Sequence, residues 1–239
     1  MLISQIPTKK LVKAWEKALK INVQYLFEKN QVNYLNYLED ESTGLRYFDP
    51  PIVGDSYFYE QLAQYPWYYS EDKLEYSYAK KYTKNKRVLE IGCGNGAFSN
   101  FCNASEYIGL EINKSAIEFL NKRGIKVYDH SLEEHAQHYP KSYDVVCSFQ
   151  VLEHLESPLQ YFQDVFKLLK PNGLAIVSVP AEDSFIEIEF WDIMNMPPHH
   201  INRFTDKSLE IIGSKCNLNL ENLIHIPIES YHYIPYLKP

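Results

Sequence analysis

From Lys86 onward the chain alternates short apolar runs with amphipathic stretches. The apolar runs predict strands at 87–91, 107–111, 125–128, 143–148 and 173–180. The stretches between them predict helices at 97–104, 114–123, 131–138 and 157–169. Such alternation implies an α/β fold, a parallel sheet with helices on both faces. Thr205 to Lys215 starts a further helix, with Thr205 as its cap. Residues 218–226 and 230–236 have the pattern of closing strands.

Upstream the pattern is different. Residues 8–28 predict a helix with Leu11, Trp15, Ala18 and Leu19 on one face and lysines elsewhere. A basic amphipathic helix can bind a membrane or a partner. The simpler account packs it on the main domain with its lysines in water. Tyr34 to Phe48 predicts two short strands around Glu41-Ser42-Thr43-Gly44, and Phe48-Asp49-Pro50-Pro51 then breaks the chain. Gly54 to Tyr69 is dense in aromatics, and Lys73 to Tyr82 predicts the helix that leads into the first strand. The chain thus divides into a 1–69 extension (helix, hairpin, aromatic-rich lid) and a main domain at 70–239.

The most informative stretch is Val88-Leu89-Glu90-Ile91-Gly92-Cys93-Gly94-Asn95-Gly96. An apolar run enters glycines at alternate positions, as a buried strand enters a tight turn. Glycine serves where backbone bends sharply and must approach a ligand closely. The following residues can open a helix whose free N–H groups face that ligand. A second apolar run, Tyr107-Ile108-Gly109-Leu110, ends on Glu111, an acid placed to grip ribose hydroxyls. Gly92, Gly94 and Ala97 also fit a dinucleotide fingerprint, so these residues by themselves leave NAD and other adenosine cofactors open.

The glycine stretch resembles the first motif of class I S-adenosylmethionine-dependent methyltransferases. Two more segments agree. Tyr143-Asp144-Val145-Val146-Cys147-Ser148-Phe149-Gln150-Val151-Leu152-Glu153-His154 resembles the fourth strand and following turn of the subgroup containing ubiquinone-biosynthesis O-methyltransferases. Leu168-Leu169-Lys170-Pro171-Asn172-Gly173 through Pro180 resembles its helix–turn–fifth-strand unit. The resemblance covers residues 73 to 226, and dehydrogenases have no reason to carry the last two segments. It implies a Rossmann-like doubly wound sheet of seven strands, mostly parallel, with an antiparallel closing strand. It also implies S-adenosylmethionine as cofactor.

Carried over residue by residue, the resemblance places Gly92, Cys93, Gly94 and Gly96 under the methionine and ribose. Glu90 would attract the cofactor's amine, or else cap local backbone amides. Glu111 would take the ribose hydroxyls and Ile112 would pack on adenine. Ser131, with the Leu132 amide, stands where the family reads adenine; Asp129 falls two positions early. Gln150 would offer its carbonyl to the methionine amine. Tyr68 or Tyr69 would close over the methionine end.

Methyl transfer from a sulfonium needs aligned donor and acceptor, and a base when the acceptor is a hydroxyl. His199 and His200 are the first candidates, in Asn195-Met196-Pro197-Pro198-His199-His200-Ile201-Asn202-Arg203-Phe204. Two prolines stiffen that segment, which follows the fifth strand, and imidazole titrates near working pH. Similar Pro-Pro-His-His segments occur in family members linked to glycans or secondary metabolites. The alternative is that one histidine only caps the loop or the Thr205 helix. His154 is the next candidate. In ubiquinone-pathway relatives a Glu-x-x-Glu-His segment is associated with a divalent metal. This chain has Gln150 in the first position, and an amide is a poorer ligand for a hard cation, so no metal is expected.

Composition narrows the class further. The chain has 239 residues, 45% hydrophobic and 23% charged, as a soluble globular protein has. Its net charge of -7 disfavours an extended nucleic-acid surface. No run is long enough to span a membrane, and the N-terminus lacks a signal-peptide apolar region. The 4 cysteines have no metal or disulfide spacing, which fits a cytoplasmic protein. The 20 tyrosines can line a sugar or aromatic site or simply cover sheet and helix edges. The expectation is a cytoplasmic methyltransferase acting on a small molecule, at a hydroxyl of a sugar or secondary metabolite. The rivals are a protein or tRNA N-methyltransferase and an idle methyltransferase-like subunit that binds a partner through residues 1–60. Against the former, no Asn-Pro-Pro-Tyr-like motif follows the fourth strand.

Overall fold

The structure, a computed structural model, describes residues 1–68, 72–182 and 193–226. The N-terminal part runs β1 (Leu2–Pro7), α1 (Thr8–Leu19), α2 (Gln24–Lys29), β2 (Tyr34–Glu39), β3 (Arg46–Asp49) and α3 (Ser56–Leu62). The main part begins with α4 (Leu74–Ala79), β4 (Arg87–Ile91), β5 (Glu106–Leu110), α5 (Lys114–Lys122) and β6 (Val127–Tyr128). It continues with α6 (Leu132–His138), β7 (Tyr143–Phe149), α7 (Pro158–Leu168), β8 (Leu169–Ser178), β9 (Asn202–Arg203) and α8 (Asp206–Lys215).

Strands β4 to β8 form a parallel sheet in the order β6-β5-β4-β7-β8. Strands β5 and β6 lie on one side of β4, and β7 and β8 on the other, so the winding reverses between β4 and β7. In open α/β sheets a ligand binds at that switch point, outside the carboxyl ends of the strands. Val88, Leu89, Val145 and Val146 are buried, as strands covered on both faces require. Side-chain caps start the helices: Asn113 for α5, Ser131 for α6, Ser157 for α7, and Thr205 with Ser208 in a capping box for α8.

A second sheet is antiparallel, in the order β1-β2-β3-β9. Its hairpin turns where predicted: Asp40 Oδ1 accepts from the Ser42 and Thr43 amides, and Gly44 is left-handed with φ 76°. Strand β1 is not legible in the sequence, because Leu2-Ile3-Ser4-Gln5-Ile6 alternates weakly. Strand β9 comes from the Pro-Pro-His-His segment and pairs Arg203 with Arg46 and Asn202 with Tyr47. Leu11, Trp15, Phe48 and Phe58 share a core with Ile193 and Met196. The extension and the histidine segment are therefore packed together, across the boundary expected at 69/70.

Three expectations change. The helix predicted over 8–28 breaks after Leu19, where Lys20 takes a left-handed cap conformation with φ 54°. The helix predicted over 97–104 is one 3₁₀ turn, Ala97–Asn100. Asn and Cys at 100, 102 and 103 propagate a helix poorly, and the Asn103 carbonyl instead accepts from the Asn85 amide. The sheet has five parallel strands among the described residues rather than seven with an antiparallel closing strand. Residues 218–226 form no strand; Asn217, Asn219 and Asn222 disfavour one. The other expected closing strand, 230–236, lies outside the described residues.

Candidate active site

The glycine turn follows β4. Gly92, Gly94 and Gly96 all have positive φ, from 54° to 72°. A Cβ on Gly92 would stand 2.7 Å from Val151 Cγ2, and one on Gly96 would stand 2.4 Å from Leu120 Cδ2. Backbone conformation and packing thus both demand glycine there. Cys93 is buried, its Sγ would clash with any Cβ on Gly109, and burial pushes its thiol far up.

Glu111, just past β5, is brought to this turn. Its Oε2 accepts from the Gly94 amide at 2.7 Å, and its Oε1 from the Ile112 and Asn113 amides at 2.8 and 2.9 Å. The carboxylate is thereby fixed beside the glycine loop. Ile112 is 83% exposed, an apolar surface free for a ring to cover. Ser131 caps α6 by accepting from the Glu134 amide, Leu132 follows it, and Asp129 is exposed at the end of β6.

Glu90 is buried, and it does not cap backbone amides. It accepts from the Tyr107 hydroxyl. Burial pushes its carboxyl up to about 8, despite that bond and the charge of Lys73. The sequence reading missed Tyr107, although the parallel register puts Gly109 opposite Glu90 and Tyr107 two residues earlier on the same face. Gln150, past β7, is held with φ 60°. Its amide donates to Ser178 Oγ at 2.8 Å and to Glu75 Oε1 at 3.4 Å, while Ser178 Oγ donates to the same oxygen at 3.2 Å. Glu75 carries no sequence signal. It sits on the helix before β4, and only the fold brings it to the end of β7.

The fold gathers the three candidate histidines. One ring nitrogen from each of His154, His199 and His200 lies within 4.8 Å of those of the others. His199 and His200 stack at 4.3 Å between ring centroids, and His154 stands edge-on to both. Their segment is tied down on every side. Trp15 Nε1 donates to the Pro197 carbonyl, the Gly54 amide to Pro198, the Phe48 amide to Ile201, and the Ile201 amide to Glu153. Asn202 Nδ2 donates to the Leu155 carbonyl at 2.6 Å.

Each ring is also oriented. His199 Nδ1 lies 2.8 Å from the Met194 carbonyl, His200 Nδ1 3.0 Å from Asn195 Oδ1, and His154 Nδ1 2.6 Å from the His199 carbonyl. These acceptors place the proton on Nδ1. Tyr68 Oη lies 3.3 Å from His199 Nε2, and Tyr59 Oη 3.3 Å from His154 Nδ1. Tyr68, expected over the methionine end of the cofactor, thus reaches the histidines; Tyr69 lies outside the described residues. The His154 ring also faces the Gln150 carbonyl, which links the histidines to the turn after β7. Burial holds His154 down to about 4, and holds His199 and His200 well below the ordinary histidine range. The rings are neutral at neutral pH, so an ionisation in the usual histidine range is not expected of them.

Known proteins agree with this architecture. A family model described as a methyltransferase domain matches residues 62–223. The chain belongs to the class I S-adenosylmethionine-dependent methyltransferases. It is 30% identical over 167 residues to a ubiquinone biosynthesis O-methyltransferase of Proteus mirabilis, covering 63% of this chain and 66% of that one. It is 34% identical over 96 residues to one of Vibrio cholerae, covering 37% of this chain and 39% of the relative. The matches therefore span just under two thirds of the first relative's length and well under half of the second's. The structure resembles an S-adenosylmethionine-dependent methyltransferase of Archaeoglobus fulgidus, with TM-score 0.55 and 24% identity, covering 68% of this chain and 74% of that one. That likeness supports the fold alone.

The chain's own residues fit the cofactor of that family, S-adenosylmethionine. The positive-φ turn keeps side chains away from a ligand, and Glu111 stands fixed beside it. No helix of the described residues is long and apolar enough to cross a membrane.

Proposed function

We propose that this methyltransferase methylates a hydroxyl of a small molecule, a sugar or another secondary metabolite, at the histidine cluster. The observation that carries the proposal is the meeting of His154, His199 and His200 beside the Gln150 turn. The cofactor supplies a methyl group on a sulfonium, which a nucleophile takes by in-line displacement. Gly92, Cys93, Gly94, Gly96, Glu111 and Ile112 would hold its ribose and adenine side, with Ser131 and Leu132 at the adenine edge. Glu90 and Gln150 would hold its amine.

The acceptor would lie against the histidines and the aromatic wall of Tyr59 and Tyr68. A sugar hydroxyl is a weak nucleophile while it keeps its proton, so methylation needs that proton loosened in the transition state. Neutral imidazoles with oriented protons offer lone pairs for that purpose. The net charge of -7 weighs against a nucleic-acid acceptor. The cysteines are all unpaired, which supports a reducing, cytoplasmic setting.

The test is incubation with ¹³C-methyl-labelled S-adenosylmethionine and pools of sugars, phenols, peptides and tRNA, read by carbon NMR. A new methoxy carbon on a small molecule is expected. An N-methyl carbon on peptide or tRNA alone would overturn the proposal.

A further inference from the structure

Helix α6 and the residue before its cap carry three donor side chains at four-residue intervals, His130, Glu134 and His138. Glu134 and His138 share a helix face, and His130 continues it. One ligand atom from each lies within 4.8 Å of those of the other two. Among the described residues, the Glu134 carboxylate and the two Nε2 atoms have no hydrogen-bond partner, although they converge. Both rings are instead held through Nδ1. His138 Nδ1 donates to the Glu134 carbonyl at 2.8 Å, which leaves its Nε2 as a lone pair. His130 Nδ1 lies 3.3 Å from His135 Nδ1, and His135 Nε2 lies 2.6 Å from the Tyr143 hydroxyl. His135 and Tyr143 are fully buried. Tyr128 stacks on the His130 ring, 5.0 Å between centroids. Imidazoles oriented from the outer nitrogen, with the other nitrogen free, are what metal-bound histidines show.

We infer that His130, Glu134 and His138 form a binding site for a divalent transition metal ion, zinc(II) in class. Two imidazoles and one carboxylate, with a fourth position left to water, suit zinc and suit magnesium or calcium poorly. Ligand atoms up to 4.8 Å apart would close to about 3.4 Å around bonds of about 2.0–2.1 Å. The three side chains are exposed or half-buried, so rotation about their own bonds supplies that closure. A metal on His130 Nε2 fixes that ring's proton on Nδ1, which then donates to His135, and His135 Nε2–H donates to Tyr143. The buried pair thus becomes the outer shell of the site. The ion would tie the loop after β6 to the second turn of α6, a helix of 7 residues, too short to hold itself in water. The expectation of no metal concerns Gln150 and the turn after β7. This site lies on the helix between β6 and β7 and depends neither on that turn nor on the proposed acceptor.

The experiment is equilibrium dialysis of the chelator-stripped full chain against zinc(II), with metal content read by mass spectrometry. Imidazole NMR signals of the wild-type chain are followed in parallel. Saturable binding is expected, with the His130 and His138 signals shifting as the ion is taken up. The double variant His130→Ala/His138→Ala should lose one ion per chain. Glu134→Gln should weaken that ion's binding by at least about 10-fold. Without metal, Glu134→Gln should melt as the wild type does, because its carboxylate has no partner to lose; zinc(II) should then raise the melting temperature of the wild type more than that of the variant. Absence of saturable binding, an ion count unchanged in the double variant, or shifts confined to His154, His199 and His200 would overturn the inference. If the double variant does not fold, the wild-type NMR titration decides. None of these readouts needs turnover, so their failure leaves the proposed function standing.

Discussion

Glu90 sits in the wall of the parallel sheet with the Tyr107 hydroxyl as its partner, and burial keeps its carboxyl protonated below about 8. A cationic amine brought beside it favours the ionised form, which lowers that value. Cofactor binding near neutral pH should therefore release a proton from Glu90. Titration calorimetry with S-adenosylhomocysteine in two buffers of different ionisation enthalpy measures it, and Glu90→Gln should abolish the release. An unchanged proton balance would remove Glu90 from the amine site. In the same titration Glu111→Ala should weaken binding by about 1–3 kcal/mol, through lost charge-assisted hydrogen bonds and a loosened glycine loop. At this scale the acids at 90 and 111 are legible, because strand ends and glycines announce them. Tyr107, Glu75 and Tyr59 are not, because each acts through a partner distant in sequence.

Among the elements, β9 and the loop before it decide where the histidines lie. The loop has few apolar residues and no side-chain period, so the sequence shows its stiffness but not its anchors. Those anchors come from the N-terminal extension: Trp15 Nε1 donates to Pro197 at 2.9 Å, and β3 pairs with β9. Trp15→Phe keeps the ring and drops the hydrogen bond. It should cost about 1–3 kcal/mol by leaving the buried Pro197 carbonyl unpaired, measured by urea unfolding. It should also lower kcat while S-adenosylhomocysteine binds as before. Deletion of residues 1–69 should abolish turnover outright. A truncated chain with unchanged turnover would make the extension a mere appendage. Strands β4 to β8 and helices α5 to α8 are legible because buried parallel strands are continuous apolar runs and their helices carry caps. Strand β1 and the broken helix at Lys20 are not, since tertiary pairing and a single left-handed residue set them.

For the whole molecule, two sheets meet at one seam. The parallel sheet offers a cofactor turn at its switch point. The antiparallel sheet and its aromatic core carry the histidines to the neighbouring edge. Under the proposed function, donor and acceptor roles reside in different parts of the chain and should separate on mutation. The measurement that tests this most directly is kcat on the identified acceptor, against the dissociation constant for S-adenosylhomocysteine, in His199→Gln and His200→Gln. The expected result is a fall in kcat of about 10²–10⁴-fold in at least one variant, with cofactor affinity within about 2-fold of wild type. Wild-type turnover in both variants, or loss of cofactor binding in step with turnover, would contradict it.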